Sequence, residues 1–246
     1  MKVYGLIGNP LSHSFSKKYF TDKFSAAHIT DCQYLNFEIK DLPTEIPPLK
    51  SHLSLKGLNV TIPYKRAIID YLDRVSSQCE AVQACNCIKI AGGRWTGFNT
   101  DIIGFERSFV GLLQPCHRKA LILGTGGAAK AVAYVLQQLA IDFLHVSRQE
   151  IPSVKAISYS DISGALLKEY TVVINTTPAG MFPHPETFPP LPYEGLSGEN
   201  YCFDLVYNPP VTEFLAKAAA RGAVTKNGGD MLSIQADESW KIWTQF

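Results

Sequence analysis

Leu121-Ile122-Leu123-Gly124-Thr125-Gly126-Gly127-Ala128-Ala129-Lys130 sets a buried strand, a glycine turn and a helix start in unbroken order. Gly124 permits the tight turn, and Gly126 lets backbone N–H groups come close to a pyrophosphate. Ala129 keeps helix and sheet close, and the helix N-terminus favours negative charge. Downstream, strands at 120–123, 143–146, 172–175, 201–205 and 224–226 alternate with helices at 128–139 and 211–221. Such alternation implies a parallel sheet covered on both faces.

The second of these strands ends roughly 20 residues past the glycines, where an acidic residue would take a ribose 2′-hydroxyl. Here the residues are Ser147 and Arg148. A guanidinium suits a 2′-phosphate, so NADP is preferred to NAD, with Glu150 nearby pulling the other way. Read alone, Arg148 is equally a solvated loop arginine. A methyltransferase also uses a glycine turn after its first strand, so the reaction has to be read from the rest of the chain.

The first hundred residues make a separate α/β unit. A strand at 2–8 breaks at Gly8-Asn9-Pro10, a helix follows at 14–27, and strands are expected at 32–39 and 55–62. A helix is expected at 67–75, and 84–91 with 94–97 suggests a hairpin around Gly92-Gly93. Thr100 or Asp101 can cap a helix running to about Leu113. The proline-rich stretch 182–192 reads as a long surface loop, and 231–243 as a helix that packs back on the first domain. The expected domains are 1–101 plus 229–246, and 102–228.

Formal net charge is +1, from 23 Lys+Arg against 22 Asp+Glu, and no basic run offers the stripe that nucleic acid needs. A small molecule is the expected partner. Six cysteines lack any Cys-x-x-Cys, and Cys85-Asn86-Cys87 has the wrong spacing for a zinc hairpin, so no metal is expected and the thiols read as reduced. The apolar run 3–7 is too short for a signal peptide or a membrane span, and cytoplasmic residence is expected.

Asn59-Val60-Thr61-Ile62-Pro63-Tyr64-Lys65 and Asn99-Thr100-Asp101 set a lysine and an aspartate among small polar groups at two strand-to-helix junctions. Singly, Lys65 is a helix start and Asp101 an N-cap. Beside a nucleotide site the two become equipment for moving a proton. An opposite charge close by favours the ammonium, so the pair is described as one that holds and shares a proton.

The ordered motifs resemble those of the shikimate dehydrogenases over nearly the whole chain. They are Gly8-Asn9-Pro10 with His13-Ser14-x-Ser16, Asn59-Val60-Thr61-x-Pro63-x-Lys65, Asn86, Asn99-Thr100-Asp101, Gly124-x-Gly126-Gly127-Ala128, Asn175-x-x-Pro178-x-Gly180-Met181, Asp204-x-x-Tyr207 and Gln235-Ala236. The resemblance implies NADP-dependent, reversible reduction of 3-dehydroshikimate to shikimate, a step toward chorismate and the aromatic amino acids. It also implies an N-terminal substrate-binding domain and a Rossmann-type NADP-binding domain with a cleft between them, in a monomer or homodimer.

By similarity, Lys65 and Asp101 are catalytic. Ser14, Ser16 and Tyr207 hold a carboxylate, while Asn59, Thr61, Asn86 and Gln235 read ring hydroxyls. Gly124, Gly126, Gly127, Ala128, Ser147, Arg148, Thr176, Met181 and Asp204 line the cofactor. Read singly, Ser14 and Ser16 are helix caps, Tyr207 a packed ring, Gln235 a solvated helix residue and Met181 core; His13 reads as structural.

This chain departs from the pattern at Lys17-Lys18-Tyr19-Phe20, at Cys87 where threonine is usual, at Ser147-Arg148-Gln149 in place of Asn-Arg-Thr, and at Asp230. The rival readings are a quinate dehydrogenase using NAD and a non-catalytic ligand-sensing homologue. Arg148 and the Ser14/Ser16 pair argue against the first, and the presence of both Lys65 and Asp101 against the second.

Overall fold

The computed structural model describes residues 1–11, 14–148 and 156–245. His13, Gln149 and Glu150 lie outside them. In chain order the elements are β1 (Lys2–Gly8), α1 (Phe15–Ala26), β2 (Cys32–Glu38), α2 (Leu42–Lys50), β3 (Leu55–Val60), a 3-10 turn (Ala67–Tyr71), β4 (Arg74–Val75), α3 (Ser77–Val82), β5 (Cys87–Ala91), β6 (Arg94–Phe98) and α4 (Thr100–Phe109). Then come β7 (Lys119–Leu123), α5 (Gly127–Gln138), β8 (Asp142–Val146), β9 (Ala156–Ile157), α6 (Gly164–Glu169), β10 (Val172–Asn175), β11 (Tyr201–Asp204), α7 (Glu213–Ala219), β12 (Val224–Asn227) and α8 (Gly229–Thr244). Two compact units result, Met1–Thr100 with Ala236–Phe246, and Asp101–Gln235.

The first unit is a mixed sheet in the order β2-β1-β3-β5-β6-β4. β1 runs parallel to β2 and β3, while β5 is antiparallel to both β3 and β6. The β5–β6 hairpin turns at Gly92 and Gly93, whose φ of 56° and 75° fit glycine at both turn positions. One face buries Ile7, Leu58, Ile68, Ile88 and Trp95. The other buries Tyr4, Phe20, Phe24 and Tyr34 beneath Trp243 of α8. Trp243 stacks on Tyr4 at 5.0 Å, donates through Nε1 to the Ile88 carbonyl at 3.0 Å, and covers Gly57, where any side chain would collide with its indole. The last helix therefore does pack on the first unit, as its spacing suggested.

Two expected helices come out shorter. The chain at 67–75 forms only the 3-10 turn before β4 pairs with β6, because Asp73 N–H and Ser76 N–H are taken by the Trp95 and Gly97 carbonyls. The helix expected to reach Leu113 ends at Phe109 and tightens into a 3-10 turn at Val110–Leu112.

The second unit is an all-parallel sheet in the order β12-β11-β10-β7-β8-β9. Counted from β7 this is 6-5-4-1-2-3, the doubly wound order whose strands reverse direction of travel at the first strand. Leu121, Leu123, Val173, Cys202 and Phe214 fill one face. Phe105 and Phe109 of α4 stack against Tyr201 and Phe203 on β11. Gly104 lets α4 meet α8 closely, since a Cβ there would lie 2.8 Å from the Met231 carbonyl.

Candidate functional site

In the first unit, β3 delivers Asn59 into a buried chain of polar groups. Its Oδ1 accepts from the Tyr34 hydroxyl at 2.9 Å, and its Nδ2 donates to the Asn86 carbonyl at 3.2 Å and to Ser239 Oγ at 2.9 Å. Asn86 in turn accepts from Thr100 N–H at 2.6 Å, and Thr100 Oγ1 lies 3.2 Å from Ser239 Oγ. Asn59 thus has both amide protons and its oxygen engaged by protein. Burial raises the Tyr34 hydroxyl pKa well above its usual value, opposed by the neighbouring Ser16 hydroxyl.

Ser14 stands at the N-cap of α1 in extended conformation, yet its side chain makes no capping bond. Its hydroxyl is buried without a hydrogen-bond partner among the described residues. A buried hydroxyl without a protein partner calls for an explanation, and an acceptor supplied by a bound molecule is one; Ser108 on α4 is in the same condition. Thr61 follows β3, with its N–H on the Ile7 carbonyl and its methyl against Gly8, where no side chain fits. Lys65 is half-buried in the next turn, and its carbonyl accepts from Cys85 N–H at 2.7 Å, tying it to the segment that carries Asn86.

Of the departures, Cys87 is fully buried directly across the strand from Asn59. Phe20 is core, stacked on Tyr34 at 4.5 Å. Asp230 is exposed in the first turn of α8 and pairs with Lys226 at 2.8 Å, where an acid suits the helix dipole.

In the second unit, Gly124 ends β7 with φ of 110°, and a Cβ there would meet Thr176 Oγ1 at 2.8 Å. Gly126 is the N-cap of α5 without any side-chain cap, and Gly127 opens the helix. Both have open space where a side chain would stand, with Ala128 beside them half-buried. An uncapped helix start with bare backbone is suited to phosphate. Thr176 binds the Leu123 carbonyl through Oγ1 at 2.7 Å and through N–H at 3.0 Å. Beyond β8, Ser147 is half-buried and Arg148 exposed, and the Arg148 charge opposes the rise that burial causes in the Tyr159 hydroxyl pKa.

Asp204 proves to be fully buried at the end of β11. Its carboxylate accepts from Asn175 Nδ2 and Val206 N–H at 3.0 Å each and from Thr212 Oγ1 at 2.6 Å, and burial pushes its pKa up to about 6. Asn175 accepts from Thr177 N–H and hydroxyl. The pair therefore ties the loop bearing Met181 to the loop bearing Tyr207. Met181 is 45% exposed, which removes it from the core. Tyr207 is half-buried, its hydroxyl pKa raised by burial. Gln235 is buried on α8, and Asp101 is buried in the first turn of α4.

Sequence reasoning missed Ser239 and Thr100 as partners of the asparagines, and His145, whose Nδ1 lies 3.0 Å from the Gly124 carbonyl oxygen. Ser239 comes one helical turn after Gln235, a spacing that could have exposed it. No group of three or more metal-ligating side chains occurs among the described residues. No helix among them is long and apolar enough to cross a membrane.

Residues 6–88 match the family described as shikimate dehydrogenase substrate binding domain. The chain is 36% identical to the shikimate dehydrogenase (NADP(+)) of Caldicellulosiruptor saccharolyticus, over 99% of this chain and 92% of that one. The shikimate 5-dehydrogenase of Thermus thermophilus, solved with NADP(H) and shikimate, superposes with a TM-score of 0.86 at 28% identity, covering 100% of this chain and 94% of that one. The quinate dehydrogenase of Corynebacterium glutamicum, solved with NAD, gives a TM-score of 0.86 at 26% identity, with the same coverage.

Proposed function

The chain belongs to the shikimate dehydrogenase family, and from that premise we propose that it is an NADP-dependent oxidoreductase interconverting 3-dehydroshikimate and shikimate, on the route to chorismate and the aromatic amino acids. It works in the cytoplasm, as a monomer or homodimer. The observation that carries the reading is the buried, unpartnered hydroxyl of Ser14. In a site for a carboxylated, polyhydroxylated ring it gains the acceptor that the protein withholds.

Ser14, Ser16 and Tyr207 hold the carboxylate with hydroxyl donors. Thr61, Asn86 and Gln235 read the ring hydroxyls, and Asn59, whose polar atoms are engaged by Tyr34, Asn86 and Ser239, keeps Asn86 in place. The open backbone at Gly126 and Gly127 and the exposed Arg148 fit NADP. Gly124, Gly126, Gly127 and Ala128 hold its pyrophosphate, and Ser147 and Arg148 its 2′-phosphate. Thr176 and Met181 take the nicotinamide end, and Asp204 acts from behind them. NADP held there would supply the hydride acceptor for oxidation and the donor for reduction.

Lys65 takes the alcohol proton during oxidation and returns it to the forming alkoxide during reduction. Asp101 is assigned as the second member of the pair that handles this proton. Lys65→Ala should abolish turnover while NADP still binds, and normal turnover in that variant would sink the assignment.

A further inference from the structure

β7 and β8 pair in parallel with Ile122 opposite His145. From that position the half-buried imidazole reaches the turn that follows β7, and its Nδ1 sits 3.0 Å from the Gly124 carbonyl oxygen. A carbonyl oxygen only accepts, so the proton of this bond is on Nδ1. The preceding peptide is already fixed: the Leu123 carbonyl accepts twice from Thr176, and Gly124 N–H donates to the Val146 carbonyl at 2.9 Å. What His145 adds is a hold on the next peptide, between Gly124 and Thr125.

A trans peptide is planar, with C=O and N–H on opposite edges. Anchoring the Gly124 oxygen on the imidazole therefore turns the Thr125 N–H away from it. Gly124 has the backbone freedom of glycine, so without an anchor this plane is the softest link in the turn. Nothing in an amphipathic strand demands histidine here, and its neighbour on the same face is Phe143, whose ring meets the imidazole edge-on at 5.6 Å.

We propose that His145 is a positioning residue for the cofactor's pyrophosphate, clamping the Gly124 carbonyl so that the Thr125 N–H is presented to the phosphate oxygens. The inference rests on the NADP reading above. It assigns to β8 a second duty besides carrying Ser147 and Arg148, and separates the two ends of the adenosine site: the clamp serves the pyrophosphate, the strand end the 2′-phosphate.

The test is calorimetric titration of the full chain with NADP and, separately, with adenosine 2′-monophosphate, which carries the 2′-phosphate but no pyrophosphate. His145→Phe keeps an aromatic ring and removes the donor, and His145→Asn restores an N–H, its amide nitrogen being attached to Cγ as Nδ1 is. Should the Phe variant not fold, His145→Leu, which has no donor, replaces it. The expected result is NADP binding about tenfold weaker in the Phe variant, the loss of one net hydrogen bond. Adenosine 2′-monophosphate should bind as in wild type, and the Asn variant should recover most of the NADP affinity. Wild-type NADP affinity in the Phe variant overturns the inference. So does equal weakening of both ligands, which would make His145 a general prop of the strand. Wild-type protein that binds neither ligand would overturn the NADP reading itself, and the inference with it.

Discussion

Replacing Asp204 by asparagine should change how stability depends on pH more than it changes stability itself. The carboxyl is fully buried at the end of β11, and burial raises its pKa from 3.8 to about 6 against the pull of three hydrogen bonds. A carboxyl whose folded pKa lies above its unfolded one binds more protons when folded. Its contribution is therefore neutral below about pH 4, and stability is lost as pH rises toward about 6 and stays lost above it. Roughly two pKa units correspond to about 3 kcal/mol. Asparagine matches the shape, accepts from Asn175 and Val206, donates to Thr212, and does not titrate. The stability difference between variant and wild type should shift by about 3 kcal/mol in the variant's favour between about pH 4 and pH 7. Urea unfolding by far-UV circular dichroism reads it. Tryptophan fluorescence is an internal control, because Trp95, Trp240 and Trp243 all lie in the first unit while Asp204 is in the second. A difference that does not move with pH would refute the argument, since it would mean that burial does not govern this carboxyl.

Ser14→Ala removes a buried hydroxyl that costs about 1–3 kcal/mol when unpaired. The apoprotein should melt at or above the wild-type temperature while KM for shikimate rises; an unchanged KM contradicts the role. Trp243→Ala should destabilise the first unit by about 3–5 kcal/mol in urea titrations followed by the fluorescence of the remaining tryptophans, and a loss below about 1 kcal/mol would mean that the last helix is not part of that core.

The alternating sheet around Gly124 was legible in the sequence because each glycine there has a mechanical reason, and because continuous apolar runs at 120–123, 172–174 and 201–203 are what a parallel strand covered on both faces requires. The helix α2 was not, because it contains Pro43, Pro47 and Pro48, and proline is disfavoured inside a helix. Pro43 sits in the first turn, where no amide bond is lost. Asp41 accepts from Thr44 N–H, Glu45 reaches back to Lys40 and Asp41 N–H, and buried Leu42 and Ile46 hold the helix to the core. The short helices α3 and α6 were invisible to periodicity, being six residues each and defined by the caps Ser76 and Ser163. At the site, residue types announced Lys65, Asn59 and Arg148, but Asp204 looked cofactor-facing in a motif and turned out fully enclosed. His145 carried no signal because its partner is a backbone carbonyl one strand away, a contact that depends on register.

The reaction itself is open to direct measurement. Purified protein is given shikimate or quinate, each crossed with NADP or NAD, and the absorbance of the reduced nicotinamide is followed. Turnover with shikimate and NADP is expected. Turnover with quinate and NAD alone, or none in any combination, would contradict it.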